Sequence, residues 1–262
     1  MRLPAPAPRP PLTARPVFAK LAAGGVAVHT YDAVGHGRSE AHPRRGRWNC
    51  ERWGELVEDG TAFSRAALAA YPQPPPAFVA GQSLGGLLAC YVALAAPALW
   101  AQGGLVLLSA AVNVEWTLHK RVLSAFGGLF SLLAPDAAMV PAAPVHQLSR
   151  VKEVQAAFSA DPLNCHAQMK VRIAKEAESA FAALASRYGE LSLPLLAMHG
   201  TADAVTSLPA VRLLVAGAAS ADKQLVPWEG AFHELVNEPE QGAVLDLLLA
   251  WLLERAKRAA KL

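Results

Sequence analysis

Three short stretches of this chain carry residues that could do covalent chemistry together. The first is Gly81-Gln82-Ser83-Leu84-Gly85, a G-x-S-x-G pattern set between an apolar run and a long apolar helical pattern. On a sharp strand-to-helix turn the serine hydroxyl stands exposed at the C-terminal end of the strand, where α/β sheets meet their ligands. The pattern alone is weak, since ordinary glycine and serine frequencies produce it by chance on the order of once in ten chains of this size. A Gly/Ser-rich turn that merely joins two elements is the plainer reading. The strand before it and the helix after it supply the context that the functional reading needs.

A neutral serine is a poor nucleophile, so it needs a base, and the base needs an acid to orient it. After such a turn the expected chain order is serine, then acid, then histidine. "MHGTADAVT" places Asp203 just past an apolar run, and "EGAFHELVNEP" places His233 between the last strand-like run and the last helical pattern. Both positions follow strand ends, so both can reach the rim that carries Ser83. Asp222 sits at the wrong end of its strand and Asp161 lies inside the insertion between 113 and 190, which leaves Asp203 as the acid. His29, His42, His119, His146 and His166 lack such placement and read as structural. The backbone N–H of Leu84, directly after the serine, is the expected first donor to an oxyanion. Gly35-His36-Gly37-Arg38-Ser39 could suggest a phosphate cradle or a second active serine, but it follows a strand-like run and opens no helix. It reads as a structural turn.

The elements that must position these residues alternate along the chain. Residues 15–23 show a short helical pattern, "VAVHTYD" (26–32) reads as a strand, and 51–71 as a helix. After the hard stop of PQPPP, a buried strand is expected through "AFVAGQ", a helix over 84–99 and a buried strand over 103–112. From about 113 to 190 the rhythm breaks into helical stretches with no convincing strand, which reads as a helical cap insertion. A strand at 193–200, a helix at 211–218, a strand through "KQLVPW" and a long amphipathic helix at 241–261 complete the pattern. Continuous apolar strands between helices predict a mostly parallel, doubly wound α/β sheet covered on both faces. The expected division is a Pro/Ala-rich N-terminus (1–12), a first core part (13–112), the cap (113–190) and a second core part (191–262).

Bulk composition narrows the field. The 262 residues, 53% of them hydrophobic, suffice for one α/β domain with an insertion. A formal net charge of +3, from 24 basic and 21 acidic residues, gives no argument for nucleic acid. Cys50, Cys90 and Cys165 are scattered and odd in number, as expected of free thiols in a reducing compartment. No apolar leader core opens the chain and no run reaches 18 apolar residues, so a cytoplasmic protein is expected. No metal or cofactor motif is present: no H-E-x-x-H, no Walker loop, no G-x-G-x-x-G.

"YDAVGHGRSE", "GQSLGG", "FSADPL", "PLLAMHGTADAVT" and "FHELVNEP", in this order, resemble the monoacylglycerol lipase-like branch of the α/β-hydrolases. The likeness spans roughly residues 13–258, cap included. It implies a serine hydrolase cleaving monoacylglycerols, lysophospholipids or related acyl esters, with no cofactor, through Ser83, His233 and Asp203. Arg15 falls near a position that often contacts substrate in that family. Gln82, beside the nucleophile, and Phe126 and Phe130, on a broad apolar face of the cap, are the other expected substrate contacts. That face packs as core or meets a lipid surface, in which case the protein is peripheral at membranes. One part of the family pattern is not found: the His-Gly loop, with its strand, that supplies a second oxyanion donor. Its place is held by PAPAPRPPLTARP, so a truncated sheet and an incomplete N-terminus are expected. The alternative function is then a catalytically impaired α/β-hydrolase domain with a binding or scaffold role.

Overall fold

The computed structural model describes residues 15–114, 128–165 and 168–260. Four parallel strands form the central sheet: β1 (Phe78–Gln82), β2 (Gly104–Leu108), β5 (Leu195–Gly200) and β6 (Lys223–Trp228), side by side in that order. The registers Phe78↔Gly104, Leu105↔Leu195 and Leu195↔Lys223 start the ladders, so the C-terminal ends of all four strands lie along one rim.

Side chains that alternate along the inner strands feed two separate cores, as the strand's two-residue period requires. Leu105 and Leu107 of β2, with Leu195 and Ala197 of β5, face one core; Val106, Leu108, Leu196 and Met198 face the other. The first core is covered by α2 (Trp53–Ala69), α3 (Leu84–Ala95), α5 (Val171–Ala185) and α6 (Leu208–Gly217). The second is covered by α7 (Gln241–Ala259), against which α1 (Arg15–Ala23) packs through Leu21. The chain therefore has the expected doubly wound α/β architecture.

Two expectations need correction. Residues 26–32 form no strand, and among the described residues 27–31 make no backbone–backbone hydrogen bond. Their β-rich composition favours a pleated surface, but a strand exists only with a partner. The segment is instead held by side chains on α2 and the turn beyond it, with the Tyr31 and Phe63 rings 4.6 Å apart and His29 Nε2 2.8 Å from Tyr71 Oη. Direct pairing with β1 does not occur, and β1 is an edge of the described sheet.

The second correction concerns the long segment between β2 and β5, which does contain strands. β3 (Ala138–Val140) and β4 (Met169–Lys170) pair antiparallel, with a shift in register between Ala138 and Val140. At three and two residues they are too short to show a two-residue period in the sequence. Residues 128–133 are helical, followed by α4 (Lys152–Ala160). α5 then returns to the main core: Ile173, Ala177, Phe181 and Leu184 are buried there, and Tyr91 Oη of α3 donates to the Ala180 carbonyl at 2.7 Å. α5 also supplies Glu176, whose carboxylate accepts from Trp53 N at 2.7 Å at the start of α2. That anion answers a helix N-terminus whose own N-cap, Arg52, makes no side-chain cap.

Candidate active site

Ser83 stands between β1 and α3 with φ 52° and ψ −125°, a conformation that side chains bearing a β carbon rarely adopt. Hydrogen bonds to the rim of β2 hold it: Ser83 N donates to the Leu108 carbonyl at 3.1 Å, and Ala111 N donates to the Ser83 carbonyl at 2.8 Å. The turn is tight because α3 folds back over β1. A β carbon on Gly81 would lie 2.0 Å from the Gly85 carbonyl oxygen, and one on Gly86 would lie 2.5 Å from the Ala110 β carbon. Gly85, by contrast, has open space where a side chain would go. Of the flanking glycines in the motif, the chain's own packing requires the first; the second leaves room beside the serine. Leu84 N opens α3, so no carbonyl four residues back occupies it.

Asp203 follows β5 and His233 follows β6, and the two meet. His233 Nδ1 is 2.8 Å from Asp203 Oδ2, with the carboxylate fully buried and the imidazole 4% exposed. Burial alone would raise the Asp203 pKa, but the hydrogen bond and charge of His233 and the donors of Thr206 together hold it below the ordinary carboxylate value. The donors are specific. Oδ1 accepts from Val205 N at 2.7 Å and Thr206 N at 3.0 Å, and Oδ2 accepts from Thr206 Oγ1 at 2.7 Å. An ionised carboxylate only accepts, so Nδ1 of His233 carries a proton, and in the neutral form of the ring Nε2 keeps a lone pair. That tautomer is the one a general base needs.

Two contributors escaped the sequence reading. Thr206 Oγ1, the donor to Asp203 Oδ2, also lies 3.2 Å from the carbonyl of Ser109, just past β2, which keeps the aspartate next to the strand beside Ser83. His199, buried within β5, places Nε2 3.3 Å from Asp203 Oδ2. The available signal was a histidine in an otherwise apolar strand, four residues before the acid.

Gln82 ends β1 beside the nucleophile and is partly buried. Arg15 opens α1, which packs on the α7 side of the sheet. Phe130 lies in the helical stretch 128–133, among Leu129, Leu132 and Leu133, which are 55%, 78% and 71% exposed. Phe126 falls outside the described residues. The Gly35–Ser39 loop folds around Asp32: Arg38 N donates to Asp32 Oδ2 at 3.0 Å and Ser39 Oγ to the Asp32 carbonyl at 2.5 Å. Those contacts account for it as a structural turn.

The parallel doubly wound sheet, with the serine turn after one strand and the acid–histidine pair after two others, defines an α/β-hydrolase. Residues 13–240 match the serine aminopeptidase S33 family, and the chain belongs to that family. A monoacylglycerol lipase of Mycolicibacterium smegmatis is 32% identical over 243 residues, covering 90% of this chain and 81% of its own. A caffeoylshikimate esterase of Arabidopsis thaliana is 30% identical over 242 residues, covering 89% and 71%. In fold, the chain superposes on the Paleococcus ferrophilus monoacylglycerol lipase with a TM-score of 0.78, at 22% identity and over 92% of this chain and 89% of that one. This is a monoacylglycerol lipase-like α/β-hydrolase, a carboxylic ester hydrolase by class.

Proposed function

We propose that the chain hydrolyses acyl esters of lipids, monoacylglycerols or lysophospholipids foremost, with Ser83 as nucleophile, His233 as general base and Asp203 as its orienting acid. The observation that carries this reading is the buried His233–Asp203 hydrogen bond, 2.8 Å long, on the same rim of strand ends as the strained Ser83 turn. Ser83 Oγ attacks the ester carbonyl and its proton passes to His233 Nε2. The oxyanion that forms draws on Leu84 N–H, and on the positive end of α3 behind it. Collapse expels the alcohol, which takes the proton back from Nε2. Water then attacks the acyl-enzyme with the same histidine as base, and Ser83 leaves as the hydroxyl.

Residues 113–190 are proposed as the segment that caps this site, with α5 near its end built into the main core. The exposed leucines at 129, 132 and 133 suit a surface that meets lipid, because a contiguous exposed apolar patch needs a partner of its own kind. Changing Leu132 and Leu133 together to serine is expected to weaken co-sedimentation with phosphatidylcholine vesicles while leaving the unfolding midpoint in place. Equal sedimentation of variant and wild type removes the lipid-contact role. The likeness to monoacylglycerol lipases supports lipid esters; the likeness to a caffeoylshikimate esterase supports a search among small esters as well.

The second reading, a catalytically impaired domain, is favoured by one observation: β1 has no second neighbour, and 27–31 lie outside any ladder among the described residues. A fluorophosphonate probe separates the two. Labelling of the wild type that is lost in Ser83→Ala is the expected result, followed by release of fatty acid from monoacylglycerol. A folded wild type that takes no label establishes the impaired reading instead.

A further inference from the structure

Glu238 lies five residues beyond His233, takes no part in the chemistry above, and is completely buried. Its carboxylate has four donors around it. Oε1 accepts from Arg150 N at 2.7 Å and from Ser149 Oγ at 2.9 Å; Oε2 accepts from Arg150 Nε at 2.6 Å and from Phe232 N at 2.8 Å. A buried charge is costly unless it is paired and hydrogen-bonded, and here both oxygens are fully engaged. Burial alone would raise the Glu238 pKa, yet the backbone donors of Phe232 and Arg150, with the guanidinium and the Ser149 hydroxyl, bring it below the ordinary value.

The donors come from two places far apart in the chain. Phe232 N belongs to the residue immediately before His233. Ser149 and Arg150 belong to the segment between β2 and β5, just before α4. A second tie runs alongside, since Glu234 N, on the other side of His233, donates to the Leu148 carbonyl at 2.8 Å. The His233 loop is thus tied on one flank to Glu238, which Ser149 and Arg150 hold in place, and on the other directly to Leu148.

We infer that Glu238 is a positioning residue: through Phe232 N and Arg150 it fixes the His233 loop to the segment leading into α4, and so sets the approach of the imidazole to Ser83. This rests on the proposed hydrolase mechanism. Glutamine cannot replace it, because one of the two oxygens becomes an NH2 group. In either orientation that group faces a backbone N–H, of Arg150 or of Phe232. Donor then meets donor, and the loop loses one of its ties.

The test compares wild type, Glu238→Gln, Arg150→Ala and the double variant. The readouts are p-nitrophenyl butyrate hydrolysis across pH, thermal unfolding, and the downfield proton NMR resonance of the His233 Nδ1–H. Misplacement of a catalytic group by about 1 Å costs about a hundredfold in rate, so kcat at the pH plateau is expected to fall about ten- to a hundredfold in E238Q. KM is expected to stay within about twofold, since the clamp touches no substrate. The Nδ1–H resonance is expected to broaden or disappear, and R150A to lower kcat in the same sense, with the double variant less than additive. Charge alone predicts something else. Loss of the Glu238 charge moves the acid limb of the profile to lower pH and loss of the Arg150 charge moves it to higher pH, with the plateau kept. That pattern, or a lowered melting point with plateau kcat and resonance unchanged, overturns the proposal. Should E238Q fail to fold, R150A and Ser149→Ala are decided by the same readouts. A wild type without ester turnover sinks the hydrolase reading, whereas the resonance still reports on the clamp.

Discussion

Ser83 holds a φ of 52° against the preference of any residue with a β carbon, a distortion that costs on the order of 1–3 kcal/mol. Glycine escapes that cost, offset by its larger entropy in the unfolded chain, which takes back about 0.5–1 kcal/mol. Ser83→Gly is therefore expected to be about 1 kcal/mol more stable than Ser83→Ala, both being inactive. Urea unfolding of the pair measures it, and equal midpoints would show that the turn stores no strain. The serine, acid and histidine were legible because each follows a strand end in a set order. The residues that hold them were not. Thr206 and His199 touch Asp203, but what brings them there is the packing of β5 against β2, which has no local signature. Gly85 shows that a motif position need not be a packing need, since open space lies where its β carbon would go.

Among the elements, α5 does more than its place after the β3–β4 pair suggests. Its buried face presents Ile173, Ala177, Phe181 and Leu184 to the same core as α2 and α3, and Leu184 is fully buried. Leu184→Ala is expected to destabilise the fold by about 2–5 kcal/mol, because a cavity at a fully buried core position closes only in part. A loss under about 1 kcal/mol in chemical denaturation would mean that α5 is only loosely docked. Helical stretches across 113–190 were legible in the sequence, but not that this one belongs to the main core. Helical periodicity gives a face and never names its partner. The segment 26–32 shows the same limit for strands. Its alternation and β-branched residues matched a strand, while the ladder that makes one depends on a neighbour elsewhere in the chain.

Taken whole, the molecule keeps its two buried site carboxylates ionised at neutral pH, which ties the stability of the fold to acid. The Asp203 and Glu238 pKa values are both lower in the folded chain than in the unfolded one. Each therefore contributes stability that is complete above the unfolded value, near about 4, and is lost as pH falls through the folded value. Unfolding free energy is expected to drop steeply between about pH 5 and pH 2. In Asp203→Asn the same titration should be shallower; parallel curves would show that this carboxylate is not held down by its surroundings. No helix among the described residues is long and apolar enough to cross a membrane. The placement of α5 also bears on how such a protein can diversify. Under the proposed cap assignment, recombination that exchanges residues 113–170 between relatives trades cap material and keeps the α5-bearing core intact. A crossover placed after α5 would carry a piece of one parent's interior into the other's, so inherited variety in specificity should concentrate before Val171.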